Sequence, residues 1–248
     1  MSPDHKMTAD IQDILDYLES QVLGELYSQV IKFTYIEEIR IEIVHEGEKG
    51  LNKDGAPAQI SNITTQCPII EFVDSLERNH QIEAIAHELM HLFLIHRFGL
   101  RVIERNNKNI ILFLDNKDWS FLAQITNVTH HQILIGLLKE QYGIGSNLHL
   151  SSLRNNYPER ENSSPTDREA LYKKGLVAFE YEKLIGGIGI VMNLAQQAEP
   201  FQKAYHSALK HFGKYSFRAI PDRSSYETNI YSFIKDLGYQ RKDFMFRP

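Results

Sequence analysis

Between Ile82 and Ile95 the chain reads IEAIAHELMHLFLI, a run whose polar members are Glu83, His87, Glu88 and His91. At fourteen residues it is too long for an ordinary buried strand,. From Ala84 to Ile95 it is apolar on nearly every side, so it reads as a helix buried on most of its circumference,. Asp74 or Asn79 can cap its start, Asp74 having Glu77 in capping-box position, and Gly99 can stop it after His96 and Arg97,. Inside such a rod an imidazole or carboxylate without a partner costs on the order of 2 kcal/mol or more. Two readings meet that cost. Either His87 and His91 bond to main chain while Glu88 finds a salt bridge, or the three groups share one partner.

Helical geometry favours the shared partner. Residues four apart lie only about 40° apart around the axis, so His87 and His91 project to one side and can converge on one ion, with Glu88 about 100° away beside it. His-Glu-x-x-His on a helix is the arrangement of a metal-assisted hydrolase: two neutral imidazoles hold zinc, and the carboxylate takes a proton from the water that the metal acidifies. The expected cofactor is therefore Zn2+, with His87 and His91 as ligands and Glu88 as general base.

Catalytic zinc keeps three protein ligands, so a third must come from elsewhere. A histidine six residues after the second would be the nearest solution, but Arg97 stands there and Leu94 replaces the glycine that accompanies it. His96 is read as a cation at the helix C-terminus. His80 lies roughly 10 Å down the axis from His87, too far to share an ion. The preferred third ligand is His131, on a second long helix, where Asn127 four residues earlier can help hold it. Its neighbour His130 is the fallback. Rival donors are Glu140 on the same helix, Glu169, Glu180 and Glu182 on the next, and Cys67; the glutamates also fit ordinary solvated or ion-paired helix positions, and a lone cysteine is usually a small apolar filler.

The rest of the chain supplies the setting. Its 248 residues suffice for one generous domain or two small ones, and 42% hydrophobic residues are those of a soluble globular protein,. A net charge of −5, without a basic block, argues against a nucleic-acid partner,. One cysteine excludes an intrachain disulfide,. The polar, acidic start MSPDHKMTADIQDIL is unlike a signal peptide, and no run of eighteen apolar residues occurs, so no membrane partner and a cytoplasmic location are expected,.

Apolar residues at helical spacing predict an amphipathic helix from Thr8 to about Lys32,. Alternation of Ile39, Ile41 and Ile43 with Arg40 and Glu42 predicts a strand; GEKGLNKDGAP is turn material, and further strands are expected at 59–65 and 68–73,. Leu100–Glu104 and Ile110–Leu114 suggest a hairpin across NNKN, followed by a helix from Asp118 to Gly143. Ser, Asn and Pro accumulate before Pro165, and helices capped by Ser164 or Thr166 follow, interrupted by GGIG at 186–189. The fold class expected is α+β and mainly helical: a small N-terminal sheet packed on the central motif helix, then a helical C-terminal region. The boundaries read are 1–145 for the first domain, 146–164 for a loop or boundary, and 165–248 for the helical region.

AHELMHLFLIHRFG resembles the active-site helix of the zincin metallopeptidases. The resemblance covers some twenty residues, and it implies a metallopeptidase domain over 1–145, with His87 and His91 as zinc ligands, Glu88 as general base and a polypeptide as substrate. By the same analogy an edge strand, 59–65 or 68–73, pairs with the extended substrate. An oxyanion stabiliser among Tyr142, Tyr157, Tyr172 and His149 is left open. Peptide deformylases share the five-residue motif but use a cysteine within a run that QCPI does not match. The competing reading is a non-catalytic binding module built on a metallopeptidase-like fold.

Overall fold

The computed structural model describes residues 7–9, 14, 21–33, 36–44, 57–63, 65–106, 116–156, 167–191 and 193–247. The chain falls into two compact units, Met1–Arg97 with Leu137–Leu148, and Phe98–Gly136 with His149–Pro248. The architecture is α+β and mainly helical, with a small N-terminal sheet and a helical C-terminal region.

The first unit holds a mixed sheet in the order β1-β2-β4-β3, formed by β1 (Met7–Ala9), β2 (Arg40–Val44), β3 (Ala58–Ser61) and β4 (Ile69–Val73). β2 runs parallel to β4 and antiparallel to β1, while β3 lies antiparallel on the far side of β4. Of the expected alternation, Ile39 and Ile41 are fully buried and Ile43 is half-buried. β4 is buried along most of its length, as an interior strand must be,. Its one carboxylate, Glu71, faces Gln59 across the ladder and accepts a bond from that amide at 2.5 Å. The strand expected at 59–65 ends early, because Asn62 takes a left-handed backbone (φ 53°) that turns the chain toward Thr65,.

The N-terminal helix is shorter than its periodicity suggested. Met7–Ala9 extends as a strand against β2, and α1 is Gln21–Phe33, burying Leu26 and Val30 of the anticipated stripe together with Leu23, while Val22 of that stripe is half-buried. The intervening part of that expected helix, apart from Ile14, lies outside the described residues, as do most of the turn at 47–57 and the hairpin arm Ile110–Leu114.

α2 (Arg78–Phe98) is the central helix, buried at Gln81, at Glu83–Ala86 and at every position from Leu89 to Ile95. Neither expected cap starts it. Asn79 lies inside, and the side chain of Gln81 folds back to donate to the carbonyls of Asp74 and Leu76, tying the helix to the end of β4. Gly99 stops it as expected, at φ 69°,. Near that end His96 meets the carbonyl of Ile63 at 3.3 Å, in the connection between β3 and β4. Burial lowers its pKa, against that bond, so His96 is a neutral N–H donor and not the cation anticipated,.

α3 (Asn116–Tyr142) begins two residues before its expected cap, Asp118, and ends before Gly143 at φ 66°. Within 146–164, Asn147–Asn156 form α4. Glu83 of α2 accepts the amide of Leu148 in the first turn of α4 at 2.5 Å, placing a carboxylate where unpaired helix amides favour it,.

In the second unit β5 (Ile103–Arg105) pairs with β6 (Phe244–Phe246). Arg105 lies against the rings of Tyr239 and Phe244, 5.0 and 4.7 Å from their centres, and donates to Glu169 at 2.7 Å. The helices are α5 (Arg168–Leu184), α6 (Ile188–Val191), α7 (Glu199–Phe212) and α8 (Arg223–Asp236). Asp167 caps α5 by accepting from Glu169 N at 2.9 Å; Ser164 and Thr166 lie outside the described residues. GGIG is a helix break, with Gly186 and Gly187 at φ 84° and 75° and Glu182 accepting the amide of Ile188. Phe179, Phe201, Phe212, Phe233, Tyr172 and Tyr226 fill the core. No helix among the described residues is long and apolar enough to cross a membrane.

Candidate metal centre

In the first unit α2 places His87 and His91 one turn apart, and their rings meet edge to face with centres 5.0 Å apart. The two Nε2 atoms approach to 3.2 Å. Two nitrogens bound to one tetrahedral ion at ~2.05 Å each would stand about 3.3 Å apart. The pair thus has the bite of a bidentate zinc clamp with almost no rearrangement. Without an ion, one ring donates its Nε2 proton to the other's lone pair. His91 is buried and His87 half-buried, which leaves one side of the clamp approachable.

Glu88 lies on the adjoining face of α2. It keeps some solvent-accessible surface, yet protein packed around its carboxyl pushes its pKa up to about 8, burial being the cause. The raised value belongs to a carboxyl with no cation beside it. A divalent ion alongside would favour the ionised form and bring it down.

The second unit carries another polar group in its core. His131 on α3, His149 on α4 and Glu180 on α5 converge, with exposures of 7%, 22% and 3% for their side chains. His131 Nδ1 stands 2.5 Å from Glu180 Oε1, and His149 Nε2 stands 3.0 Å from the same oxygen. The two rings meet edge to face at 4.1 Å between centres. Gln124 donates to Oε2 at 3.4 Å, which turns Oε1 toward the imidazoles. Burial alone would raise the pKa of Glu180, but His131 and His149 outweigh it and hold the carboxyl well below the usual range,. Burial, reinforced by His149, lowers the pKa of His131, so the ring is neutral beside an ionised carboxylate. The donor atoms of the three residues lie within 4.8 Å of one another, close enough to hold a metal ion.

Since Glu180 accepts at Nδ1, His131 is the Nδ1–H tautomer and carries its lone pair on Nε2. A carboxylate that fixes the tautomer in this way is what orients a metal-ligating histidine. The sequence had nominated Asn127 for that task; Asn127 is exposed, and the residue that takes it is Glu180, forty-nine positions along the chain. Glu180, read beforehand as a rival ligand or a solvated position, is among the most buried polar residues of the protein. His149 had entered only as one of several unassigned polar groups.

The remaining candidates have other occupations. His130 is fully buried and donates Nε2–H to the carbonyl of Leu100 at 2.9 Å; burial, against that bond, lowers its pKa to about 3. It is a core histidine. Glu169 accepts from Arg105 and Tyr239, Glu182 from Ile188 N, and Glu140 is exposed. Cys67 is half-buried and its amide bonds to Thr65 Oγ1. Among the described residues none of these four joins a group able to hold an ion. Comparison of the chain with protein-family models, with curated proteins and with solved structures finds no match.

Proposed function

We propose that the protein is a zinc-dependent metallopeptidase of zincin type, in which His87 and His91 bind the ion and Glu88 is the general base. The observation that carries this reading is the 3.2 Å separation of the two motif Nε2 atoms, which matches the bite of one tetrahedral ion,. When bound, zinc would acidify a water molecule and polarise the scissile carbonyl. The chain's own share is then to take the proton from that water on Glu88.

A polypeptide is the substrate class that fits the rest. Among the described residues β3 is the last strand of its sheet, the edge at which an extended peptide would add,. Of the two strands proposed for that role from the sequence, β4 is enclosed between β2 and β3, which leaves β3.

The test pairs metal analysis of the purified protein with hydrolysis of a mixed peptide library. One zinc per chain is expected at the motif, together with cleavage. Glu88→Gln should keep the zinc and lower turnover by about 10²-fold or more. A protein that takes no zinc would refute the metal centre. Unchanged function in Glu88→Gln would instead favour a binding module on a metallopeptidase-like framework.

A further inference from the structure

We propose that His131, His149 and Glu180 form a second divalent-cation site, contained in the second unit and distinct from the clamp of His87 and His91. Three separate helices deliver these side chains to one point, and at that point two imidazole nitrogens already crowd a single carboxylate oxygen, at 2.5 and 3.0 Å. A hydrogen-bonded trio uses two ring protons to satisfy that oxygen. A cation would replace both with bonds to three donors.

The change needed is small. Donors around zinc at 2.0–2.2 Å stand about 3.2–3.6 Å apart, so opening the 2.5 Å contact by about 1 Å admits the ion,. All donors already lie within 4.8 Å of one another. Two imidazoles with one carboxylate suit zinc and its first-row neighbours better than calcium or magnesium, which call for oxygen. Gln124 holds the second carboxylate oxygen, so Glu180 would bind through Oε1 alone. His149, with 22% of its side chain exposed, marks the open side where the ion enters and where a fourth ligand, water, would sit. The proton that each ring gives to Oε1 then moves to that ring's other nitrogen.

This inference stands on the second unit alone and does not need the peptidase reading. The test removes the motif histidines, so that the bound equivalent is read at the second unit alone. In full-length His87→Ala/His91→Ala, equilibrium dialysis and calorimetry with zinc should find one bound equivalent, and cobalt should give the visible absorption of a four-coordinate site. Adding His149→Ala, or Glu180→Gln, should abolish that equivalent. His149 is the least buried member, so its truncation is the change best tolerated by the core; far-ultraviolet circular dichroism checks that each variant is folded. If the double variant misfolds, the readout moves to unmodified chain against His149→Ala, where one zinc equivalent should be lost. A folded double variant that binds no zinc, or zinc binding that survives both His149→Ala and Glu180→Gln, overturns the proposal. Absence of peptidase activity in the unmodified chain, with this equivalent intact, would overturn the peptidase reading and leave this one standing.

Discussion

Replacing Glu180 by Gln removes one charge from the core at constant shape, and its cost follows from the partners. In the metal-free protein the carboxylate accepts from His131 at 2.5 Å and from His149 at 3.0 Å, with only 3% of its side chain exposed. A hydrogen bond to a charged group contributes about 1.5–3 kcal/mol, and a neutral one about 0.5–1.5. The amide oxygen of Gln can take the place of Oε1 and accept both imidazole N–H groups, but its NH2 then faces the donor Nε2 of Gln124. Two charge-assisted bonds become neutral ones and the bond from Gln124 is lost, while the gain from burying an amide in place of an anion recovers part of the difference. The net loss should be about 2–4 kcal/mol, or on the order of 5–12 °C in melting temperature for a chain of this size. Glu182→Gln is the control, since Glu182 is half-buried and accepts one amide, that of Ile188; it should cost about 1 kcal/mol,. Urea and thermal unfolding with chelator present measure both. A Glu180→Gln protein within 0.5 kcal/mol of the unmodified chain, or no less stable than Glu182→Gln, would show that the trio is not a satisfied network and would remove the reason for assigning His131 its tautomer.

Gly175 of α5 meets α7 so closely that an added Cβ would lie 2.4 Å from the carbonyl oxygen of Phe201 and 2.9 Å from Cβ of Ala204. Gly175→Ala should therefore destabilise by about 1–3 kcal/mol despite the gain of ~1 kcal/mol in helix propensity, and a raised melting temperature would contradict the packing. His130→Ala should cost about 2–4 kcal/mol through the cavity and the freed carbonyl of Leu100 while leaving zinc content unchanged; loss of zinc in a folded variant would return His130 to the ligand set,. Asp236 on α8 accepts from Lys210, His211 and Ser207 of α7, and although its own partial burial opposes the shift, Lys210 and His211 lower its pKa to about 2. The sign follows from the depressed value: the native state binds the proton less readily than the unfolded chain, so the contribution is full above about pH 4 and is lost as pH falls through 2. With a third of the side chain exposed, screening reduces it to about 1 kcal/mol at pH 7,. Asp236→Asn should show that deficit in urea unfolding at pH 7 and about half of it at pH 3, and a deficit that grew on acidification would reverse the assignment.

What the sequence disclosed and what it withheld divide along the range of the forces involved. α2 is legible because helical spacing is a local rule: His87 and His91 share a face wherever four residues make a turn, and Gly99 and Gly143 stop helices through their own backbone freedom. The alternation at Ile39 and Ile41 is equally local. Thr8 and Ala9 join a strand and not the expected helix because an amphipathic pattern says nothing of a neighbouring strand, and β2 offers Met7–Ala9 three residues of ladder that outweigh helix propensity there,. β5 pairs with β6, more than one hundred residues away, which no turn signal can reveal. The partner of His131 was hidden for the same reason: Asn127 is near in sequence, whereas Glu180 is near only after α5 has packed.

Long-range closure also explains why buried polar residues of α3 are tolerable where periodicity would place core. Thr126 and Thr129 satisfy their hydroxyls on α3 carbonyls one turn back and His130 reaches Leu100, each within reach of its own helix or the segment beside it, while Gln132 donates to Val128 and leaves its buried Oε1 without a hydrogen-bond partner among the described residues. His131 differs from these four. Its buried ring is matched to an ionised carboxylate, and a single hydrogen bond to a backbone carbonyl would have satisfied a purely structural imidazole at lower desolvation cost, as it does for His130 one residue before,. Burying a charge to hold one ring gains little for stability alone. It gains an oriented lone pair and an electron-rich imidazole, which are the properties a metal ligand requires.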